Sequence, residues 1–367
     1  MIRILVVDDS ETVRKLMTYE LDRQEGMTVV GIASNGMDAV RKAAKLKPDV
    51  ITMDVKMPIM DGLEATREIM CTQACPVVIV SQYWDQDNKQ KVFEALAAGA
   101  IAVVNKPAGP GHPEYETSLS HLFKQIRMMS EVKVVTRRRS KPDPEKVPAT
   151  VLKKSGVSCP PACRPDCPVS KRNGKLVVIG ASTGGPVVLR QIFERLPAPY
   201  PLPILVVQHI AHGFLTGLVD WLGTATGHHI LIAEQGMIPE PGKIYFAPDD
   251  RHMGLDPDGR IVLSKDPKEY SLRPAVSYLF RTAARHVGNR TIGILLTGMG
   301  SDGAAELKIL KDTGAATVIQ NQESCVVFGM PGEAFKLNAA RHALPPEEIS
   351  EFLSLAISES RPMKDPA

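Results

Sequence analysis

The sequence is short of several things. Its 367 residues include only six cysteines and two tryptophans, and aromatic residues make up 5%. Six thiols in so long a chain are too few for a disulfide scaffold, so reduced cysteines are expected. No apolar run approaches the length of a membrane span, and the opening MIRILVVDDS has neither a basic lead-in nor a cleavable apolar stretch. A cytoplasmic chain with no direct membrane insertion is the expectation. With 44% hydrophobic and 23% charged residues the composition is that of a globular protein, and the length calls for two domains.

Net charge is also low, at +3, but it is unevenly placed. Between Thr136 and Asn173 ten Lys or Arg residues face three acids, a local balance of +7 that leaves −4 for the rest of the chain. The same stretch has seven prolines and no aromatic residue. That is the composition of a solvated linker, assigned to residues 133–173, between folded regions at 1–132 and 174–360. Lacking rings for base stacking and a folded basic face, it argues against a nucleic-acid partner. Its cysteines, Cys159, Cys163 and Cys167, lack the fourth ligand and close pairs usual for zinc, and read as incidental, with metal or redox control as the alternative. Cys325, among apolar neighbours in ESCVVFG, reads as a packing residue on a buried strand.

In the first region short apolar runs alternate with helical patterns. RILVVDD, TVVGIA, DVITMDV, PVVIVSQ and AIAVVNKP read as buried strands; Val13, Leu16, Met17 and Leu21, then Leu119, Leu122, Phe123 and Ile126, recur at helical spacing. Five such units imply a doubly wound parallel sheet with its ligands at the carboxyl ends of the strands. Asp8 and Asp9 end the first strand, Asp54 the third, Ser81 the fourth, and Lys106 follows the fifth. Any one of them could be a helix cap or a solvated loop residue. Three carboxylates at one sheet edge repel one another, which is tolerable chiefly with a hard divalent cation such as Mg²⁺ among them, and a nearby lysine suits a phosphoryl oxygen.

VVDDS, MDVKMPIMDG, VIVS and NKP resemble the response-regulator receiver domain over residues 2–130. The resemblance implies a flavodoxin-like fold with Asp54 as phosphoacceptor. It implies that Asp8, Asp9, Asp54 and the carbonyl of Lys56 hold Mg²⁺, and that Ser81 and Lys106 contact the phosphoryl group. Val103 departs from the pattern, standing where many receivers carry an aromatic switch residue.

The second region resumes with KLVVIG, followed by a helix face of Leu189, Ile192, Phe193 and Leu196, with Pro186 suited to the first turn. LPILVVQH and TIGILLTG read as further strands, and Asp302 opens a helix in MGSDGAAELKIL. GKIYFAPDDRHMGL and GRIVLS read as hairpin material around turns such as Asp258-Gly259. The reading is a second α/β domain with a parallel core.

VIGASTGGPVVL, residues 178–189, bends sharply from strand to helix. A nucleotide-binding loop wants Gly-Lys-Ser/Thr after the glycines, and Pro186 and Val187 stand there instead. A serine at such a bend, backed by amides and the positive end of a helix dipole, suits a nucleophile whose oxyanion needs donors. Ser182 is that candidate, with His209 as base and Asp302 as its orienting group, each at the end of a different strand. Taken singly, each has an ordinary reading: a helix cap for Ser182 and Asp302, a packed histidine for His209.

IGASTGGP, VVQHIAHGF, IYFAPDDRHM, RPAVSYLF, LLTGMGSDGA and QNQESCVVFGMP together resemble the chemotaxis protein-glutamate methylesterase domain, and the whole chain resembles the chemotaxis response-regulator methylesterases. The resemblance implies a Rossmann-like hydrolytic domain with Ser182, His209 and Asp302 as the triad and Thr183 and Met299 beside the oxyanion site. It also implies methylated chemoreceptors as substrates, glutamine deamidation in some members, a chemotaxis sensor histidine kinase as phosphodonor, and no cofactor for the ester chemistry. Two other readings stay open on the residues: a noncatalytic, phosphorylation-controlled binding protein with a vestigial triad, and an esterase or amidase for a small metabolite.

Overall fold

A computed structural model of the chain describes residues 1–81, 92–96, 98–132 and 175–358. The linker assigned to 133–173, with Cys159, Cys163 and Cys167, lies outside the described residues. Cys71, Cys75 and Cys325 are free thiols, and no helix among the described residues is long and apolar enough to cross a membrane.

In the first module β1 (Ile2–Val7), α1 (Glu11–Asp22), β2 (Met27–Ala33), α2 (Gly36–Leu46), β3 (Val50–Met53), α3 (Gly62–Thr72) and β4 (Val77–Ser81) are followed by a helical stretch, α4 (92–96), then β5 (Ala102–Asn105) and α5 (Tyr115–Ser130). The strands form a parallel sheet in the order β2-β1-β3-β4-β5. Strands β3 and β4 are buried at every position, as covering by helices on both faces requires. Ser10, Asn35 and Asp61 each accept a backbone amide in the first turn of α1, α2 and α3, caps worth about 1 kcal/mol apiece. Strand order reverses between β1 and β3, so the crevice opens where Asp8 and Asp54 emerge.

The second module contains β6 (Leu176–Ala181), α6 (Gly185–Phe193), β7 (Ile204–Gln208), α7 (Leu215–Thr226), β8 (His229–Ile232), β9 (Lys243–Phe246), β10 (His252–Leu255) and β11 (Ile261–Ser264). It continues through α8 (Val276–His286), β12 (Thr291–Leu295), α9 (Ala304–Asp312), β13 (Ala316–Gln320), α10 (Met330–Lys336), β14 (His342–Leu344) and α11 (Pro346–Ser358). Seven strands pair in parallel in the order β14-β13-β12-β6-β7-β9-β8. The chain winds outward from β6 through β7 in one direction and returns to place β12 on its other flank, which puts the switch point between β6 and β12.

Two elements differ from the sequence reading. KIYF is not hairpin material: it is β9, a parallel strand wedged between β7 and β8, because Ile244, Tyr245 and Phe246 are all buried and its neighbours supply the ladder. The antiparallel hairpin is β10–β11 alone, with Asp258-Gly259 in its turn. Cys325 lies on no strand; it is half-buried in the loop between β13 and α10.

The modules touch. Phe93 of α4 stacks on Trp221 of α7 with centroids 5.6 Å apart and planes at 24°, and buried residues of both modules join one apolar cluster. Val326 and Val327, from the loop before α10, pack against a second cluster made of first-module residues.

Candidate active site

At the first sheet edge, the amide of Asp54 donates to Val7 O at 2.9 Å, which sets the ends of β1 and β3 side by side. Carboxylate oxygens of Asp8, Asp9 and Asp54 consequently lie within 4.8 Å of one another, with Asp8 and Asp54 buried and Asp9 exposed. Lys106 Nζ reaches Asp8 Oδ2 at 2.8 Å and Asp54 Oδ2 at 2.9 Å. Ser81 and Asn105 are register partners at the ends of β4 and β5, and the amide of Lys106 donates to Ser81 O at 3.0 Å, so Ser81 stands beside the lysine. Lys56 lies exposed in the loop two residues after Asp54.

Burial pushes the Asp54 carboxyl up to about 6 against the pull of Lys106. For Lys106, burial works against its charge, but the hydrogen bonds and charges of Asp8 and Asp54 outweigh it and hold the ammonium above its ordinary value. An all-oxygen donor set with one solvent-facing carboxylate fits a hard cation of the Mg²⁺ type.

In the second module β6 ends at Ala181. Gly184 then takes φ +80° and opens α6, with Pro186 in its first turn, as the sequence pattern suggests. A side chain at Gly184 would be strained in the left-handed region and would meet Val326 Cγ2 at 2.6 Å, so glycine is required twice over. The amide of Gly185 donates to Ser182 O at 2.8 Å and closes the bend.

Register brings His209 next to Ser182. Ala181 and Gln208 are partners across β6 and β7, so the residues that follow, Ser182 and His209, leave the sheet as neighbours. The amide of His209 donates to Ala181 O at 2.9 Å, and on the opposite flank the amide of Ser182 donates to Thr297 O at 3.0 Å. His209 Nε2 lies 2.9 Å from Asp302 Oδ2, with both side chains nearly sealed from solvent. By angle Nε2 is not aligned for a hydrogen bond, so the contact is one of charge and distance.

Asp302 is held more firmly than its sequence position indicates. It does not cap the helix that it precedes, since Gly303 stands at the start of α9 and offers no side chain. Its carboxylate instead caps α8, accepting the Val276 amide at 2.7 Å and the Ser277 amide at 2.8 Å. Burial alone would raise its pKa, but the His209 contact and the Ser277 donors outweigh burial and keep the carboxyl below its usual range. The group thus stays ionised against the imidazole.

Thr183 presents its carbonyl to the Thr297 hydroxyl at 3.0 Å. Met299 is 42% exposed and follows Gly298, where an added Cβ would stand 2.6 Å from Ser182 Cβ. Both therefore border the serine. Four residues near the site escaped the motif reading. Gln208 Nε2 donates at 2.8 Å to the carbonyls of both Ser182 and His209; Gln320 Oε1 accepts the Thr297 amide at 2.9 Å; Thr297 ties together the loops of Thr183 and Val327; and the Ser277 hydroxyl accepts the Gly303 amide at 2.9 Å. The signal for the two glutamines was available: a polar side chain closing an otherwise apolar buried strand needs internal partners. Burial pushes the Cys325 thiol up to about 12, which leaves it inert at neutral pH.

Residues 177–353 match the CheB methylesterase family and residues 4–112 the response regulator receiver domain. The chain is 44% identical over 353 residues to the protein-glutamate methylesterase/protein-glutamine glutaminase 1 of Syntrophus aciditrophicus, covering 96% of this chain and 97% of that one. It is 43% identical over 364 residues to the corresponding protein 2 of Methanospirillum hungatei, covering 98% and 99%. The crystal structure of the Thermotoga maritima CheB methylesterase catalytic domain aligns with 50% of this chain and 100% of that one, at 39% identity and a TM-score of 0.49.

Proposed function

Because the chain belongs to the CheB methylesterase family and carries a receiver domain ahead of the catalytic one, we propose that it is a phosphorylation-controlled protein-glutamate methylesterase acting on methylated chemoreceptors in the cytoplasm. The modules are a receiver at 1–132, a linker at 133–173 and a catalytic domain at 174–360. The observation that carries the chemistry is the contact of His209 with a buried, helix-capping Asp302, at a sheet edge where β6–β7 register makes Ser182 the neighbour of that histidine.

With Nε2 set 2.9 Å from Asp302 Oδ2, Nδ1 is the nitrogen left to serve as base. Ser182 Oγ attacks the γ-carbonyl of the methylated side chain as His209 takes its proton. The tetrahedral oxyanion collapses, the C–O bond to the methoxy group breaks, and His209 returns the proton so that methanol departs. Water then adds to the acyl-serine by the same proton relay and releases free glutamate. The positive end of the α6 dipole and backbone amides of the serine bend stabilise the oxyanion, with Thr183 and Met299 beside it. On glutamine the same sequence expels ammonia, which accords with the double names of the relatives.

In the receiver, Asp54 is the phosphoacceptor, Ser81 and Lys106 contact the phosphoryl oxygens, and Asp8, Asp9, Asp54 and the Lys56 carbonyl would hold Mg²⁺. Bound there, the ion would offset the charge of the carboxylates and the incoming phosphoryl group. A chemotaxis sensor histidine kinase is the donor. Control is steric: the unphosphorylated receiver covers the catalytic crevice, and charge at Asp54 shifts the population toward an open arrangement. The Phe93–Trp221 stack supports this, as does Val326, which packs on the receiver core while standing against Gly184 of the serine loop.

The test is methanol release from methylated receptor, with and without a small phosphodonor. Phosphodonor should raise the wild-type rate, and Ser182→Ala should abolish release while Asp54 still becomes phosphorylated. Full activity in Ser182→Ala ends the proposal.

A further inference from the structure

Two consecutive residues near the catalytic crevice hold a backbone conformation that their side chains disfavour. Tyr270 has φ +52° and Ser271 has φ +64°. They form a two-residue turn closed by Glu269 N to Leu272 O at 3.1 Å and Leu272 N to Glu269 O at 2.7 Å. Positive φ at both central positions is the geometry for which Asn-Gly or Gly-Gly is ordinarily chosen. Here the chain keeps a tyrosine and a serine and carries the strain, and such strain persists where a side chain is needed.

The turn is mounted rigidly on both sides. Glu269 pairs with Arg281 of α8, which also lies 3.6 Å from Glu306. Arg273 grips Asp250 at 2.7 Å and the carbonyls of Lys265 and Asp266 at 2.9 and 3.0 Å. Three residues later come the amides of Val276 and Ser277 that hold Asp302. Yet Tyr270 itself is 52% exposed. A chain of contacts leads from the turn to Asp302: Glu269 to Arg281, Arg281 to Glu306, Glu306 to the Ser277 hydroxyl, and the Ser277 amide to Asp302; in keeping with it, partial burial and then the Glu306 and Asp302 carboxylates raise the pKa of the phenol. Met299, also exposed, borders Ser182 through Gly298.

We propose that Tyr270 is a specificity residue that lays its ring against the receptor chain beside the methylated glutamate, setting affinity for the protein substrate without entering the chemistry. The inference rests on the methylesterase reading above. An exposed tyrosine on a fixed turn offers large contact area with little entropy left to lose on binding, which is why tyrosine is enriched among residues that dominate interfaces. Its apolar face and hydroxyl tip can meet apolar and polar groups of a protein substrate alike.

The full chain, treated with phosphodonor, is compared as wild type, Tyr270→Ala and Tyr270→Gly. The KM for methylated receptor should rise about tenfold in both variants, while a small fluorophosphonate probe labels Ser182 at the wild-type rate. Thermal midpoint should be unchanged or higher in Tyr270→Gly, because glycine relaxes the turn. An unmoved KM, or a rise in KM accompanied by slower labelling and a lower midpoint, overturns the inference. A wild-type chain that releases no methanol overturns the methylesterase reading, and this inference with it.

Discussion

The side-chain amide of Gln208 donates to the backbone carbonyl of Ser182 at 2.8 Å, and its second hydrogen bond, of equal length, goes to the carbonyl of His209. One buried residue thus fixes the chain at both Ser182 and His209. Replacing it by methionine keeps the volume but removes both bonds: Ser182 O keeps only the Gly185 amide, and the His209 carbonyl loses this donor, a cost of about 1–3 kcal/mol for the group left unsatisfied. The expected result for Gln208→Met is a methanol-release kcat lowered by about 10–100-fold, since small misplacements of reacting groups are costly. Receptor KM should stay within about twofold, a split that steady-state kinetics will read.

Asp302→Asn leaves the shape of the site but removes the charge facing His209 and offers α8 one acceptor oxygen in place of two. An amide can also donate to Nε2 and so stabilise the wrong tautomer, a change that lowers turnover about 10⁴-fold in a serine protease triad. A loss of about 10³–10⁴-fold is expected here, with a lower melting temperature from the weakened helix cap. Retention of more than a tenth of wild-type turnover would remove Asp302 from the triad.

Gly298→Ala tests the space beside Ser182. The new Cβ would meet Ser182 Cβ at 2.6 Å and Met330 Sδ at 2.5 Å. The thioether can yield, but the serine backbone is tied to Thr297 O on one side and Gln208 on the other. Displacement of Ser182 should lower the acylation rate by about 100-fold, measurable as the rate of labelling by a serine-directed probe.

Phe93→Ala removes the ring that stacks on Trp221. If the receiver restrains the crevice through this contact, methanol release without phosphodonor should rise toward the phosphorylated wild-type rate, and the stimulation by phosphodonor should shrink. Phosphorylation of Asp54 in the variant checks that the receiver remains folded. An unchanged basal rate would place the restraint elsewhere.

Stability should fall in mild acid. Burial holds the imidazole of His228 below its ordinary value, and His228 Nε2 lies 3.0 Å from Phe193 O. In the unfolded chain this histidine takes a proton near pH 6.5, while the folded one stays neutral to lower pH. The unfolded state therefore binds more protons as pH drops through about 6.5 toward the folded value, and stability is lost across that window. Thermal midpoints at pH 7.5 and 5.5 should differ, and the difference should narrow in His228→Phe.

The sequence by itself determined the five strands of the first sheet and three of the seven in the second, with the residues at their ends. Apolar runs such as VITM and VVIVS read as buried strands because both faces of a parallel sheet are covered, and periodicity needs no knowledge of distant contacts. Those strand ends, with the motif resemblance, were enough to select Asp54, Ser182, His209 and Asp302. Local pattern was silent on partners far apart in the chain. KIYF joined the central sheet because β7 and β8 flank it. Asp302 capped α8, 26 residues upstream, because two amides at that helix start had no intrahelical partner. The left-handed turn at Tyr270 and Ser271, with no glycine to announce it, is held from outside by Arg281 and Arg273. Only the tertiary structure decided these, because each is a pairing between groups whose separation along the chain carries no periodic signal.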